Sequence, residues 1–82
     1  METSLESYKQ ISDLGERQRM LLNIIKMYPN LCNRQYSEIL HIPINSVTPR
    51  VKELRVLGLV LPSVKKFDRV TNRWVMTWVA VP

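Results

Sequence analysis

The stretch INSVTPRVKELRVLGLV, residues 44–60, combines apolar side chains at helical spacing with a proline near its start. The apolar side chains that recur at intervals of four and three residues are Val47, Val51 and Leu54. This spacing places them on one side of an α-helix. Asn45 precedes them as an expected N-cap, and Gly58 follows where a left-handed residue commonly ends a helix. The stretch therefore predicts a helix over residues 45–57.

Pro49 limits where this helix can begin, because proline has no amide N–H and is tolerated only in the first turn. If Asn45 is the N-cap, Pro49 is the fourth helical residue and removes the first intrahelical hydrogen bond. If Ser46 is the N-cap, Pro49 is the third residue, whose N–H has no intrahelical partner in any case. The start at Ser46 costs less, and both alternatives keep the proline in the first turn.

A first helix is expected upstream, beginning after Gly15. Its first turn carries the acidic Glu16, and Pro29 follows its end. The side chains expected on its apolar side, at a 3.6-residue period, are Met20 or Leu21, Ile24, Ile25 and Tyr28.

A short second helix is expected to follow, with Asn33 as its N-cap and with His41 and Pro43 at its end. The side chains expected on its apolar side are Tyr36, Ile39 and Leu40. A tight turn then leads into the third helix.

After Gly58 the apolar period changes to that of a β-strand. Residues 59–67 (LVLPSVKKF) and 73–81 (RWVMTWVAV) are rich in β-branched and aromatic residues, and the polar residues 68–72 separate them. We expect a hairpin whose first strand is an edge strand or is bulged at Pro62. The residues of the second strand that we expect to face the helices are Trp74, Met76, Trp78 and Ala80.

Size and composition limit the possible functions. At 82 residues, of which 45% are apolar, the chain is one domain near the lower limit for a stable hydrophobic core. We assign residues 1–12 to a flexible N-terminal arm and residues 13–82 to the domain. No apolar run has the length of a membrane span, and the first residues lack the features of a secretory signal, so we expect a cytoplasmic protein.

Catalytic and metal chemistry have little to use in this sequence. Cys32 and His41 are the only residues of their kinds, so an internal disulfide is excluded and a metal ion would find almost no ligands. No carboxylate pair, phosphate-binding loop or nucleophile–base set is recognisable. We therefore expect a protein that is not an enzyme and has no metal, cofactor or small-molecule ligand.

The net charge of +5 belongs entirely to the C-terminal half. Residues 1–40 hold five basic and five acidic side chains, whereas residues 41–82 hold seven basic and two acidic ones. This asymmetry favours a polyanionic partner, nucleic acid before a membrane. A basic surface that meets only solvent is the alternative.

Residues 33–60 resemble the helix-turn-helix core of small winged-helix DNA-binding proteins, including MarR-like regulators and short phage-type proteins. The features that carry the resemblance are Tyr36 and Ser37, the turn IPINSV at residues 42–47, Arg50, Glu53 with Leu54, and the GLV of residues 58–60. Residues 68–78, DRVTNRWVMTW, are similar to the wing of these proteins, where Thr-Gly-Arg often precedes a strand that ends in an aromatic residue. The resemblance spans roughly residues 15–80.

The resemblance implies an α+β fold, a winged helix-turn-helix of three helices followed by a two-stranded β-hairpin wing. Two positions depart from the family pattern. His41 stands where these proteins usually have glycine, so that a non-glycine residue has to take a positive φ angle. Pro49 lies in the helix that corresponds to the recognition helix.

The resemblance also implies that the third helix enters the major groove of double-stranded DNA. With the Val47 side buried, helical geometry turns the opposite side and its flanks outward. The residues that we assign to base edges are Asn45, Ser46, Thr48 and Pro49. Lys52 is assigned to a guanine edge or a phosphate. Arg50 lies on the flank, where a phosphate contact and an ion pair with Glu53 or an acidic residue of the first helix are equally expected.

The wing, residues 65–73, is expected to lie on the DNA backbone or in the minor groove. Its basic side chains are Lys65, Lys66, Arg69 and Arg73. Arg34, at the start of the second helix, is expected to add a phosphate contact. These assignments predict sequence-specific binding of double-stranded DNA and transcriptional regulation, in a bacterial cell or a phage-infected host.

An exposed apolar surface would favour another function, that of a protein-interaction module acting on replication, recombination or transcription machinery. The candidate residues for such a surface are Val56, Leu57, Val75, Val79 and Val81. The valines of the hairpin, or residues 1–12, are also the candidates for homodimerisation.

Overall fold

The computed structural model describes residues 13–82 of the chain. The elements, in chain order, are α1 (Glu16–Met27), α2 (Asn33–Leu40), α3 (Ile44–Val56), β1 (Val60–Asp68) and β2 (Arg73–Ala80). This is the predicted order of an α+β winged helix-turn-helix with a two-stranded hairpin. The predicted arm, residues 1–12, lies outside the described residues. Within residues 13–82, no helix has the length and hydropathy that crossing a membrane requires.

One hydrophobic core joins the three helices to the hairpin. Its buried members are Leu14, Leu21, Leu22, Ile25, Tyr36, Val47, Val51, Leu54, Leu59, Val60 and Trp78. The predicted apolar side of α3 is therefore confirmed. In α1, Tyr28 is about half exposed because the helix ends at Met27, and Leu22 takes a core position instead. The carbonyl of Tyr28 accepts a hydrogen bond from the hydroxyl of Tyr36 at 2.7 Å.

The residue before α2 is its N-cap, so the prediction that Asn33 has this role is wrong. Cys32 has the extended backbone of a cap, and its N–H donates to the Gln35 side chain at 3.0 Å. Asn33 is the first helical residue, and its side chain forms hydrogen bonds with Thr48 and Trp78. Ile39, predicted to lie on the apolar side, is exposed. Tyr36 and Leu40 follow each other at a four-residue interval toward the core, and Ile39 is rotated away from that row.

The turn between α2 and α3 has the backbone that the sequence predicts. His41 takes a φ of 56° and a ψ of 41°, the left-handed region in which histidine is tolerated better than β-branched residues. The Ser37 hydroxyl donates to the carbonyl of Ile42 at 2.6 Å, and the N–H of Ile42 donates back to the carbonyl of Ser37 at 3.2 Å. These two bonds hold the turn in place.

α3 begins earlier than either predicted start, with Pro43 as its N-cap and Ile44 as its first residue. Pro49 is therefore the sixth helical residue, inside the helix, and cannot donate to the carbonyl of Asn45. The first hydrogen bond of the helix runs from the N–H of Ser46 to the carbonyl of Pro43, three residues earlier, at 2.9 Å. Packing of Val47 on the core outweighs the one bond that the proline removes.

The hairpin is bulged as predicted. β1 and β2 pair antiparallel, and the register shifts between Pro62 and Lys65. Thr77 of β2 lies opposite the bulge, is fully buried, and donates its hydroxyl to the carbonyl of Val64. A single residue outside the hairpin also pairs with β2, which was not predicted from the sequence. Leu31 forms an antiparallel bridge with Trp78 on the edge of β2 that β1 does not occupy. One residue is too short for a period of two to be visible in the sequence.

Only part of the predicted tryptophan side packs on the helices. Trp78 is buried, and Met76 and Ala80 pack against the core. Trp74 was expected to join them but is 69% exposed. β2 continues past the core into the wing, where Trp74 meets Phe67 of the paired strand rather than a helix.

Asp68 joins the wing to α2. It is the last residue of β1, not a loop residue, and is only 7% exposed. Its carboxylate accepts two hydrogen bonds from Arg34, at 2.8 and 2.9 Å, one from the N–H of Val70 at 3.2 Å and one from the Thr71 hydroxyl at 3.0 Å. The bonds from Arg34 are the main reason that the pKa of Asp68 is lowered to about 2. Strand end, turn and helix are thereby tied together.

Replacing Pro49 with alanine should stabilise the protein by about 1–2 kcal/mol. The substitution restores the bond to the Asn45 carbonyl and removes an interior-proline penalty of about 3 kcal/mol, which the freer unfolded chain partly offsets. Urea unfolding followed by circular dichroism measures the change. Lys52→Ala, on an exposed position of the same helix, is the control and should shift stability by less than about 0.5 kcal/mol. A Pro49→Ala variant no more stable than this control contradicts the account.

Asp68→Asn should lower the unfolding midpoint in urea at pH 7, because Arg34 then loses its buried charged partner and keeps only the exposed Glu38. The pKa of Asp68 is lower in the folded state than its unfolded value near 3.9, so its contribution is complete above about pH 4 and is lost as the pH falls toward 2. The gap between wild type and variant should narrow over that range. Glu38→Gln, which removes the exposed partner of Arg34, is the control with a small effect. A gap of constant size from pH 7 to pH 2 would disprove the role of this charge.

Candidate nucleic-acid interface

The side of α3 that faces away from the core carries the side chains predicted to meet base edges. Those that the structure exposes are Asn45, Thr48, Pro49 and Lys52. Ser46 is half-buried. The arrangement follows from burial of Val47 and Val51, which turns the opposite side of the helix outward. The exposed surface therefore carries an amide, a hydroxyl and an ammonium group, all capable of donating hydrogen bonds.

Asn33 holds this surface relative to the sheet. Its side-chain nitrogen donates to the hydroxyl oxygen of Thr48 at 3.3 Å, and its side-chain oxygen accepts from the indole N–H of Trp78 at 2.9 Å. Since the Thr48 oxygen acts as an acceptor here, its own hydroxyl hydrogen stays available to an external acceptor. No sequence signal identified Asn33 as this bridge, because its partners are 15 and 45 residues away.

Arg50 forms the ion pair that was one of its two predicted alternatives. Its guanidinium donates two hydrogen bonds to Glu53, at 2.6 and 2.9 Å. The amide of Gln18 in α1 donates to the same carboxylate at 2.8 Å. The pKa of Glu53 is lowered, first by the bonds from Arg50 and then by the bond from Gln18. The only acidic side chain of α3 is therefore already neutralised.

Arg34, predicted to contact a phosphate, already binds two carboxylates. Its guanidinium donates the paired bonds to Asp68 and a further bond to Glu38. These bonds, and chiefly those to Asp68, raise the pKa of Arg34. Its side chain is 21% exposed. The geometry gives Arg34 a structural role at the base of the wing, and the remaining exposed fraction is what a phosphate could reach.

The basic side chains of the wing are spread over the hairpin, not collected in its loop. Lys65 and Lys66 lie within β1, and the ammonium group of Lys66 donates to the carbonyl of Asn30 at 2.9 Å. Arg69 is in the turn and Arg73 is the first residue of β2, and both are exposed. The loop itself therefore presents one arginine, Arg69, and Arg73 follows at the start of β2.

The turn of the wing needs a left-handed residue, and Asn72 supplies it. Asn72 has a φ of 56°, a conformation that asparagine tolerates better than most other non-glycine residues. It stands where the similar proteins often have glycine. The turn geometry thus survives this substitution, and Thr71 beside it remains bound to Asp68.

A cleft shows that the start of α3 and the wing open on the same side of the molecule. Ile44 at the start of α3 and Asn33 at the start of α2 line it from the helices, and Thr71, Arg73 and Trp74 line it from the wing. The start of α3 and the basic wing are therefore close together. Among residues 13–82, no three histidine, cysteine, aspartate or glutamate side chains lie close enough to hold a metal ion.

Comparison with known proteins bears on the fold. No protein-family model matches the chain, and no curated protein matches it. Among solved structures it is similar to Streptococcus pneumoniae FabT in complex with DNA, with a TM-score of 0.68 and 19% identity over 84% of this chain and 46% of FabT. It is also similar to the multiple antibiotic-resistance repressor MarR from Listeria monocytogenes, with a TM-score of 0.65 and 20% identity over 96% of this chain and 51% of MarR.

The chain spans about half the length of these two proteins. At such low identity the similarity concerns the fold alone. It covers the three helices and the hairpin, the region in which the sequence resembles MarR-like proteins. The chain therefore has the winged helix-turn-helix fold that its sequence predicts.

Proposed function

We propose that the protein binds double-stranded DNA through α3 and the wing, and that it regulates transcription. The observation that carries this proposal is the distribution of charge. Both acidic side chains of residues 41–82, Glu53 and Asp68, are held by arginines. Within the described residues, the basic side chains without a carboxylate partner in that half are Lys52, Arg55, Lys65, Lys66, Arg69 and Arg73.

The two similar structures support the same function. FabT was crystallised in complex with DNA, and MarR is a repressor. A winged helix alone does not specify a task, because folds of this kind carry several functions. The unpaired basic groups of this chain, next to an exposed helix with hydrogen-bond donors, are what favour a polyanion over other partners.

The proposed contacts divide between bases and backbone. The exposed N-terminal half of α3 enters the major groove, where Asn45 and Thr48 meet base edges, Pro49 makes an apolar contact and Lys52 reaches a guanine or a phosphate. Ser46 is half-buried, so its hydroxyl is less accessible to a base edge than that of Thr48. The wing residues Lys65, Lys66, Arg69 and Arg73 attract the phosphate backbone or enter the minor groove. Arg50 and Arg34 contribute mainly by neutralising carboxylates.

A single unit of this size buries on the order of 600–1,000 Å² on DNA. Tight and specific binding therefore requires two copies on adjacent half-sites, or a second DNA-binding partner.

The alternative function, a protein-interaction module, has less structural support than DNA binding. Val56 is 79% exposed and Val81 is 37% exposed, but the other three candidate residues, Leu57, Val75 and Val79, are partly buried.

Duplex DNA binding should depend strongly on salt, with a log–log slope of roughly −0.9 for each phosphate contacted. Arg69→Ala and Lys52→Ala should each weaken binding and reduce the slope by about 1. Fluorescence anisotropy of a labelled duplex between about 50 and 200 mM salt measures both quantities. Lys26→Ala is the matched control, since Lys26 lies in the last turn of α1 beside the end of β2. Absence of binding at low salt, or an equal effect of Lys26→Ala, refutes the proposal.

Thr48→Val should blur the preference for one base position without abolishing binding. The valine keeps the shape of the side chain but removes the hydroxyl, a loss of about 1 kcal/mol or roughly five-fold in discrimination. Selection from a randomised duplex pool followed by competition with single-base variants measures it. Arg69→Ala provides the contrast, because a phosphate contact should weaken all duplexes alike. An unchanged base preference in Thr48→Val would remove Thr48 from the reading surface.

A further inference from the structure

Phe67 and Trp74 form an exposed aromatic pair near the turn of the wing. They lie directly opposite each other on β1 and β2, with ring centroids 5.7 Å apart and planes at 74°. Phe67 is 46% exposed and Trp74 is 69% exposed. Two large rings left in water at one point form an apolar surface that the proposed duplex contacts do not use.

The edge-to-face arrangement leaves room for another ring. In a T-shaped pair, the ring that contributes its edge has neither face covered by its partner. A planar group can therefore stack on the pair without separating the two rings. Trp74 also lines the cleft that it shares with Ile44 at the start of α3, so a stacked group would lie next to the proposed reading helix.

The charges around the pair distinguish between possible partners. Lys65 lies two residues before Phe67 on the same face of β1. Arg73 starts on the opposite face of β2 from Trp74, but both residues line the same cleft. Asp68 is the only acidic side chain of the hairpin, and Arg34 neutralises it. An apolar protein surface would have to desolvate these cations. A nucleic-acid strand supplies both a planar base for the rings and phosphates for the cations.

Bases inside a duplex are stacked on one another and can cover an aromatic side chain only if a base step is first unstacked, whereas unpaired bases have a free face. We infer that Phe67 and Trp74 are a stacking site for an unpaired base, so that the preferred ligand is a duplex with a single-stranded extension beside the bound site. This inference rests on the proposed function, because it needs the wing to face DNA.

Three DNA ligands test the inference: a blunt duplex, the same duplex with a short single-stranded extension, and the extension alone. Stacking of one base predicts that wild type binds the extended duplex roughly 5- to 150-fold more tightly than the blunt one. Trp74→Ala should lose this preference while keeping its affinity for the blunt duplex. Trp74→Phe should retain most of the preference, because an aromatic face remains. Ile44→Ala, which removes an exposed apolar side chain of the same cleft, is the control and should keep the preference.

Tryptophan fluorescence gives an independent measurement of the same contact. Trp74 is exposed and Trp78 is 8% exposed, so quenching by the extended duplex should occur in wild type and disappear in Trp74→Phe. Equal affinity of wild type for the blunt and extended duplexes overturns the inference, as does a preference that survives in Trp74→Ala. Absence of quenching by all three ligands overturns it too.

The two proposals fail in different ways. If the blunt duplex is bound in the salt-dependent manner described above but the extension adds nothing, only the stacking site is refuted. If the blunt duplex is not bound while the extension alone binds and quenches Trp74, the duplex-binding function is refuted, and with it the preference for an extended duplex; only the stacking of an unpaired base on Trp74 is then supported. Circular dichroism of Trp74→Ala should match wild type, since the replaced side chain is exposed.

Discussion

The carboxylate of Asp68 is the point on which the geometry of the wing depends. A charge that is 7% exposed is tolerated only when its oxygens are bonded, and Asp68 accepts from Arg34, from the N–H of Val70 and from the hydroxyl of Thr71. These bonds determine the shape of the turn and attach it to α2. They also neutralise the only acidic group of the hairpin, so one interaction determines both where the wing lies and how positive it is.

Asn33 fixes the position of α3, as Asp68 fixes that of the wing. Its amide joins Thr48 of α3 to Trp78 of β2, so the exposed helix and the wing are both positioned from the start of α2. A surface held in this way is pre-organised, and less conformational entropy is lost when it meets a rigid partner such as a duplex. The hydrogen bonds that build the interface are thus different from those proposed to read DNA.

The exposed groups fall into two sets with different physical tasks. Lys52, Arg69 and Arg73 carry charge without a carboxylate partner among the described residues, which suits long-range attraction to phosphates. Phe67 and Trp74 carry apolar area without a helix to cover it, which suits stacking at short range. Their proximity is the reason that we propose a nucleic acid, and not an apolar protein surface, as the partner of this side of the molecule.

Local patterns in the sequence determined the type of each element and the apolar side of α3, because helical and strand periods and residues such as Gly58 and Pro62 act within a few neighbouring positions. The family resemblance added the order of a winged helix-turn-helix. Only the tertiary structure decided that α3 begins at Ile44, five residues before Pro49, that Trp74 stays exposed, and that Arg34 pairs with Asp68. Each of these outcomes depends on packing or pairing between residues far apart in the chain, which no local spacing records.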